Sequence, residues 1–195
     1  MKKTGKKHTL DSFMLTRAAS GDVEWVRDLI AEGVDVNAAD EHGWTALLFA
    51  ARDGRLPMAE YLLGEGARLD VRNSSGGQPV HLAAAWNRLS VLEFLVQKGA
   101  RIDAVDDDGW TPLHHTNHLP MVEFLLEAGA DPAAKAKDGR TPMDLAEDPE
   151  ILALLKKWSD PEFLEKRRQA ENAKAIRDHW ARVGKRACPR PGPRL

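Results

Sequence analysis

The stretch Asp106-Asp107-Asp108-Gly109-Trp110-Thr111-Pro112-Leu113-His114 combines a turn signal with a helix start. The short side chain of Asp106 can accept hydrogen bonds from nearby backbone N–H groups, which favours a turn closed by Gly109. Pro112 suits the first turn of a helix, where a missing backbone N–H costs nothing. We therefore predict a turn over 106–110 followed by a helix that begins near Pro112.

This pattern recurs along the chain at an almost constant interval. Related helix starts are Thr45-Ala46-Leu47-Leu48, Gln78-Pro79-Val80-His81, Thr111-Pro112-Leu113-His114 and Thr141-Pro142-Met143-Asp144, with steps of 33, 33 and 30 residues. Glycines that follow apolar stretches keep the same steps, at Gly33, Gly66, Gly99 and Gly129. Because two independent landmarks share one period, we infer that the chain is built from internal repeats.

Each repeat is predicted to contain two helices joined by a turn. In the repeat that starts at Thr45, a short first helix ends at Gly54 and a second one ends at Gly66. The apolar residues of the second helices recur at spacings of three and four, so they share one face. A glycine after each second helix permits the left-handed turn that ends it.

The repeat resembles that of the ankyrin-repeat family. The matching residues are Asp40-x-x-Gly43-x-Thr45, Gln78-Pro79-Val80-His81-Leu82-Ala83-Ala84, Asp106-x-x-Gly109-x-Thr111-Pro112-Leu113-His114 and Gly129-Ala130-Asp131. The resemblance implies an all-α ankyrin-repeat solenoid, made of helix-turn-helix units with β-turn tips. It has about five units including degenerate caps, because the ends of a solenoid must differ from its middle. The fourth unit lacks three residues between His114 and Met121.

We expect four segments along the chain. They are a basic N-terminal arm at 1–9, the ankyrin-repeat domain at 10–158, a C-terminal helix at 159–183 and a disordered Pro/Arg-rich tail at 184–195. Ser159-Asp160-Pro161-Glu162 is a favourable helix start. The sequence leaves open whether this C-terminal helix packs on the last repeat or binds a partner.

The net charge of -2 hides an acidic body between two basic ends. Residues 9–158 contain 14 basic and 25 acidic residues, whereas residues 159–195 contain 10 basic and 5 acidic ones. The body should repel nucleic acid, so binding of nucleic acid is expected only at the ends, and there it is the less favoured hypothesis. A single cysteine and the lack of a long apolar run predict a cytoplasmic monomer with no membrane contact.

The resemblance also implies a binding surface, the concave one formed by the turn tips and the ends of the first helices. The corresponding residues are Glu41, His42, Trp44, Arg52, Asp53, Trp86, Asp107, Asp108, Trp110 and Arg140. Large aromatic residues often dominate interfaces, so Trp44, Trp86 and Trp110 are predicted anchors. For Trp44 and Trp110 the alternative is packing over a neighbouring turn. Trp25 and Trp158 are predicted to complete the core at the two caps.

The histidines do not predict a metal site. His81 and His114 match a family position where the imidazole hydrogen-bonds within and between turns. His115 and His118 are then left, and we expect them to share a helix face. Two ligands are too few, because zinc sites usually have at least three protein ligands. The sequence also lacks the common catalytic motifs, so we expect neither an enzyme nor a cofactor.

These features predict a non-catalytic protein–protein interaction module or adaptor that binds a protein partner through the concave ankyrin surface. One alternative is a nucleic-acid-associated regulatory factor that uses its basic termini. A second alternative is an inhibitor or immunity-type protein that blocks a partner enzyme. A fold alone does not choose among these functions.

Overall fold

The computed structural model describes residues 4–183, with the side chains of residues 11–175 and of Asp178. The predicted tail at 184–195 lies outside the described residues. Contacts divide the chain into an N-terminal part that ends at Leu155 and a C-terminal part that begins at Lys156, and each is described by itself.

Helices account for all regular structure within 4–183, apart from an isolated bridge between Ala39 and Thr45. The helices are α1 (Thr4–Ser20), α2 (Val23–Ala31), α3 (Ala46–Asp53), α4 (Leu56–Gly64), α5 (Pro79–Ala85), α6 (Leu89–Gln97), a 3₁₀ helix (Pro112–His115), α7 (Leu119–Glu127), α8 (Pro142–Leu145), α9 (Pro149–Trp158) and α10 (Pro161–Val183). This order confirms the all-α class and the C-terminal helix. No described helix is long and apolar enough to cross a membrane.

The helices of the N-terminal part stack in two rows. The first helices pack in the order α1, α3, α5, 3₁₀ helix and α8, while α2, α4, α6 and α7 form the second row. Each repeat therefore packs on the repeats next to it in sequence, as in a solenoid. The core between the rows contains leucines such as Leu62, Leu95 and Leu125, all 0% exposed. Burial of one such side chain contributes about 2 kcal/mol.

Helix α1 begins earlier than the sequence suggests. It starts at Thr4, so the boundary predicted at residue 9 between a basic arm and the repeats falls inside this helix. Lysine is a good helix former, and no proline interrupts the stretch up to Ser20. The helix ends before Gly21, which adopts a left-handed φ of 85°.

The fourth repeat accommodates its shorter length in its first helix. The residues from Pro112 to His115 form a single 3₁₀ turn, and Thr116 is extended. The expectation that His115 and His118 share a helix face is therefore wrong. His115 ends the 3₁₀ helix, whereas His118 precedes α7 as its N-cap. The three missing residues are the ones that would have continued the first helix between them.

Trp25 is not a core residue, in contrast to the prediction. Its side chain is 47% exposed on α2 and packs edge-on against Phe13 of α1. Trp158 is half-buried within the C-terminal part, where its ring contacts Phe163 and the guanidinium of Arg167. The sequence pattern could not distinguish these two environments, because an aromatic residue on a cap satisfies the same helical spacing in both.

Candidate functional site

The turn of each repeat is ordered by one short polar side chain. Oδ1 of Asp40 accepts hydrogen bonds from the backbone N–H groups of His42 and Trp44, at 2.9 and 2.8 Å. Oδ1 of Asp106 bonds in the same way to the N–H groups of Asp108 and Trp110, both at 2.9 Å. The predicted role of Asp106 in the turn is thus confirmed, and the turns are determined locally.

Neighbouring turn tips are also joined to one another through the backbone. The bonds run from Ser74 N to His42 O (2.8 Å), from Asp107 N to Ser75 O (3.1 Å) and from Lys137 N to Asp108 O (2.9 Å). Four successive tips are therefore linked into one row. These backbone hydrogen bonds hold the tips in a fixed arrangement.

In the second repeat, the Trp44 ring lies close to an aromatic ring and to an arginine. Its ring centroid is 5.0 Å from that of Phe49 and 5.3 Å from the guanidinium carbon of Arg52. Arg52 makes two hydrogen bonds to the carboxylate of Asp53, at 2.8 and 2.9 Å. These bonds lower the pKa of Asp53, so the pair stays ionised at the end of α3. The structure thus brings Trp44, Arg52 and Asp53 together.

Trp110 occupies the same turn position on the fourth repeat but has different neighbours. Its ring centroid is 5.2 Å from the ring of His115, and 5.4 Å from the guanidinium carbon of Arg140. Arg140 in turn bonds to the carboxylate of Asp138 at 2.6 Å. Trp110 and Arg140 are therefore adjacent, as a shared surface requires, although Trp110 itself is half-buried.

Trp86 differs from Trp44 and Trp110 because more than half of its side chain is exposed to solvent. It caps the C-terminus of α5, where its backbone N–H bonds to Leu82 O at 3.0 Å, and its side chain is 56% exposed. The next residue, Asn87, has a left-handed φ of 54°. Trp86 follows Asp53 by one repeat of 33 residues, so the two mark equivalent helix ends.

The predicted acidic residues at the turn tips are exposed, and Asp107 is also paired. Asp107 accepts a 2.8 Å bond from Arg72, whose guanidinium also bonds to Val105 O at 3.1 Å. Glu41 and His42 are exposed and lie 3.7 Å apart at their closest polar atoms. Asp108 is exposed at its tip. The surface therefore carries charges of both signs.

His81 and His114 are buried structural groups, and burial lowers their pKa values, which favours the neutral form. Nε2 of His81 donates towards Ala104 O and Trp110 O, at 3.0 and 3.1 Å, while Nδ1 accepts from Gln78 N. Burial lowers the pKa of His81 to about 4, and it also lowers the pKa of His114. Because both ring nitrogens of His81 are engaged, this residue is not available as a general base.

His115 is tied to the turn by a hydrogen bond to the carboxylate of Asp106. Its Nε2 lies 2.8 Å from Oδ2 of Asp106, and its ring packs edge-on to His81 at 5.6 Å. Burial disfavours the Asp106 carboxylate. Hydrogen bonds from Trp110 N–H and from His115 outweigh that effect and lower its pKa. Within the described residues, no three His, Cys, Asp or Glu side chains could together hold a metal ion.

Sequence reasoning missed Phe49, Arg72 and His115 as neighbours of the predicted residues. Each contact depends on how one repeat stacks on the next or on the shortened 3₁₀ helix. A partial signal was present for Arg72, which lies 35 residues before Asp107, close to the repeat length. The helix following Trp44 also places Phe49 one turn beyond it, within reach of the indole ring.

The comparisons with known proteins agree with this geometry. A family model for ankyrin repeats in three copies matches residues 14–106, and a model for a single ankyrin repeat matches residues 108–137. A search of curated proteins finds no significant match. Ankyrin repeats are generally protein–protein interaction modules and are typically non-catalytic. On the two family matches and the stacked helical hairpins, this chain belongs to the ankyrin-repeat family.

Proposed function

We propose that the protein is a non-catalytic adaptor that binds a protein partner through one surface. This turn-tip surface consists of Glu41, His42, Trp44, Arg52, Asp53, Trp86, Asp107, Asp108, Trp110 and Arg140. The observation that carries the proposal is Trp86, a large aromatic side chain that is 56% exposed on a rigid helix end. Leaving it in water forgoes a stabilisation that burial against a partner would recover.

The neighbours of Trp86 support an anchoring role. On the preceding repeat, at the equivalent helix end, the two hydrogen bonds between Arg52 and Asp53 fix a polar pair. Arg88 bonds through Nε to Arg52 O at 3.0 Å, which joins the ends of α3 and α5. A rigid aromatic residue beside ordered polar groups is a common composition for an interface centre.

Trp44 and Trp110 contribute less in this proposal than Trp86. Each is half-buried and already stacked on a cation of its own surface, Arg52 or Arg140. These contacts support the alternative of turn packing, and they also hold a planar ring at the edge of the surface. We therefore rank Trp86 first among the anchors and the other two second.

The test is affinity capture from a nuclease-treated lysate, followed by identification of the retained proteins and titration of the purified partner. Wild type is compared with Trp86→Ala, and with Trp25→Ala as a matched control. Trp25 is also an exposed tryptophan, at 47%, but it lies on α2. We expect Trp86→Ala to weaken partner binding by about 2 kcal/mol, which is roughly thirtyfold in Kd, and Trp25→Ala to leave it unchanged.

Either of two results would contradict the proposal. If folded Trp86→Ala retains the partner as wild type does, the exposed indole is not an anchor. If Trp25→Ala loses the partner instead, the binding surface lies at the other end of the repeats. Thermal unfolding of both variants shows whether a loss reflects misfolding.

The nucleic-acid alternative has weaker support from the described residues. Three basic side chains of α10 are paired with acids one turn away: Lys166 with Glu162 at 2.7 Å, Arg167 with Glu171 at 2.6 Å and Arg168 with Glu165 at 2.7 Å. These pairs reduce the positive field that phosphates need. A steep loss of affinity with rising salt concentration would favour nucleic acid over aromatic anchoring.

A further inference from the structure

The outer side of the first repeat exposes side chains at positions that are buried in the following repeats. Trp25 is the third residue of α2, and it is 47% exposed. The third residues of α4, α6 and α7 are Met58, Val91 and Met121, and all three are 0% exposed. At this helix position, a large apolar side chain is therefore normally covered.

Helix α1 shows the same relation. Phe13 is 38% exposed, and the residue one repeat of 33 later is Ala46, at 0%. Arg17 corresponds in the same way to Ala50, also at 0%. Terminal repeats of a solenoid ordinarily need a polar outer face to stay soluble. This end instead continues the pattern of a repeat-to-repeat interface, with aromatic residues where the interface would be.

The aromatic residues on this end form one cluster around a cation. The rings of Phe13 and Trp25 meet edge-on with centroids 5.6 Å apart. The guanidinium carbon of Arg17 lies 4.8 Å from the Phe13 centroid and 5.2 Å from the Trp25 centroid. We call Phe13, Arg17, Trp25, Asp28 and Glu32 the N-terminal end face.

The two helices contribute opposite charges to this face. On α1, Arg17 follows Phe13 by four residues, so the two share a side of the helix. The guanidinium of Arg17 is partly exposed and also lies 3.6 Å from the carboxylate of Asp22 in the same chain. Asp28 of α2 and Glu32, the C-cap of α2, follow Trp25 by three and seven residues and are exposed on its side of the helix. Arg27 lies on another side, where it pairs with Glu24 at 2.9 Å and approaches Tyr61 of α4.

We propose that the N-terminal end face binds a second copy of this chain in a two-fold symmetric dimer. A face with a positive helix, a negative helix and an aromatic cluster between them is complementary to itself. A two-fold axis that runs parallel to the hairpin, between α1 and α2, places α1 of one copy against α2 of the other. Arg17 then faces Asp28 and Glu32 of the partner copy, and the aromatic clusters meet at the centre. Such an interface uses the same patch on both copies.

This dimer uses none of the turn-tip residues, so it stands or falls separately from the proposed function. It also changes the monomer expected from the sequence, because composition alone cannot show that a terminal repeat exposes an interface position. The proposed interface resembles the packing between repeats, with a second copy packed on the exposed face of α1 and α2.

The experiment is sedimentation equilibrium of the full chain over a range of concentrations, with charge reversals on each helix. The variants are Arg17→Glu on α1 and the double variant Asp28→Lys/Glu32→Lys on α2. Arg101→Glu is the matched control, since Arg101 is an exposed arginine in another repeat. We expect each reversal on the end face to raise the dimer dissociation constant by roughly tenfold or more, and the control to leave it unchanged.

The decisive sample is an equimolar mixture of the two end-face variants. In the mixed dimer, Glu at 17 faces Lys at 28 and 32, while the native Arg17 faces the native acids. Both contacts are then attractive, so the mixture should dimerise more tightly than either variant alone.

Three outcomes would overturn the proposal. A wild type that stays monomeric up to about 1 mM, which corresponds to about −4 kcal/mol, has no specific self-interface. A dimer that all three variants weaken equally, or one that the mixture fails to restore, lies on another face. Circular dichroism of each variant establishes that it is folded, so a loss of dimer is not a loss of structure.

Discussion

The second and fourth repeats begin with the same turn but continue into different helices. In both, an aspartate carboxylate accepts two backbone hydrogen bonds and a tryptophan precedes a threonine. The second repeat continues into the eight-residue helix α3, and Trp44 rests on Phe49. The fourth continues into a four-residue 3₁₀ helix, and Trp110 rests on imidazole rings.

This difference shows that the turn is a local property, whereas the surroundings of its tryptophan depend on helix length. The full helix α3 places Phe49 and Arg52 beside Trp44. The shortened helix brings His115 to Asp106 and to the ring of His81. The fourth repeat should therefore be the less stable of the two, and its stability should depend on pH.

The largest expected effect is on the core beneath the two turns. Leu62 of α4 and Leu125 of α7 are equivalent positions and are both 0% exposed. Replacement of either by alanine should lower the free energy of unfolding by about 2–5 kcal/mol. We expect the loss at Leu62 to be the greater, because a full α3 packs against α4. Urea unfolding measures both, and a greater loss at Leu125 would contradict the comparison.

Lowering the pH should destabilise the boundary between the third and fourth repeats. Burial lowers the pKa of His81 from an ordinary 6.5 to about 4 in the folded protein. Between these pH values the unfolded chain binds a proton that the folded chain does not, so stability falls as the pH falls from 6.5 to 4. The loss reaches about 3 kcal/mol.

Urea unfolding at several pH values measures this slope. His81→Gln should flatten it, while His118→Gln, at an exposed position, should leave it unchanged. An unchanged slope in His81→Gln would assign the acid sensitivity to another group.

The turn carboxylates should have a smaller effect, and an unequal one. Asp40→Ala leaves two backbone N–H groups without their acceptor, which costs about 1–2 kcal/mol. Asp106→Ala does the same and also removes the 2.8 Å contact to His115. We therefore expect the larger loss of unfolding free energy for Asp106→Ala. Equal losses would mean that the histidine contact adds nothing to the turn.

The smallest expected effect is in α10, where no described side chain is fully buried. Lys166→Ala removes an exposed pair with Glu162 one turn away. The expected change in unfolding free energy is about 0.5 kcal/mol or less. A loss as large as that of the turn aspartates would show that this helix is stabilised through Lys166 in another way.

Much of the fold could be predicted from the sequence because its signals are local. The turn aspartates, the Thr-Pro starts and the glycines with positive φ each act within a few residues. The 33-residue period then identified the stacking. The early start of α1 at Thr4 was missed because lysines suit a helix as well as an arm.

The predicted surface residues could be named but not ranked from the sequence. The exposure of Trp86 and the half-burial of Trp44 depend on neighbours from other turns of the chain. Trp25 is exposed, and the prediction that it is a core residue was wrong for the same reason. Helical spacing shows which residues share a face, but it does not show whether another element covers that face.

The four-residue 3₁₀ helix has a consequence for cooperativity. In a stack where each repeat contacts only its neighbours, unfolding free energy is a sum of terms for repeats and for the junctions between them. The shortened helix weakens the junction between α5 and the segment after it. Opening can therefore stop there, so that residues beyond Thr111 exchange their amide hydrogens while α3 and α5 remain protected. We therefore expect the three-residue deletion to divide the stack into two folding units of unequal stability.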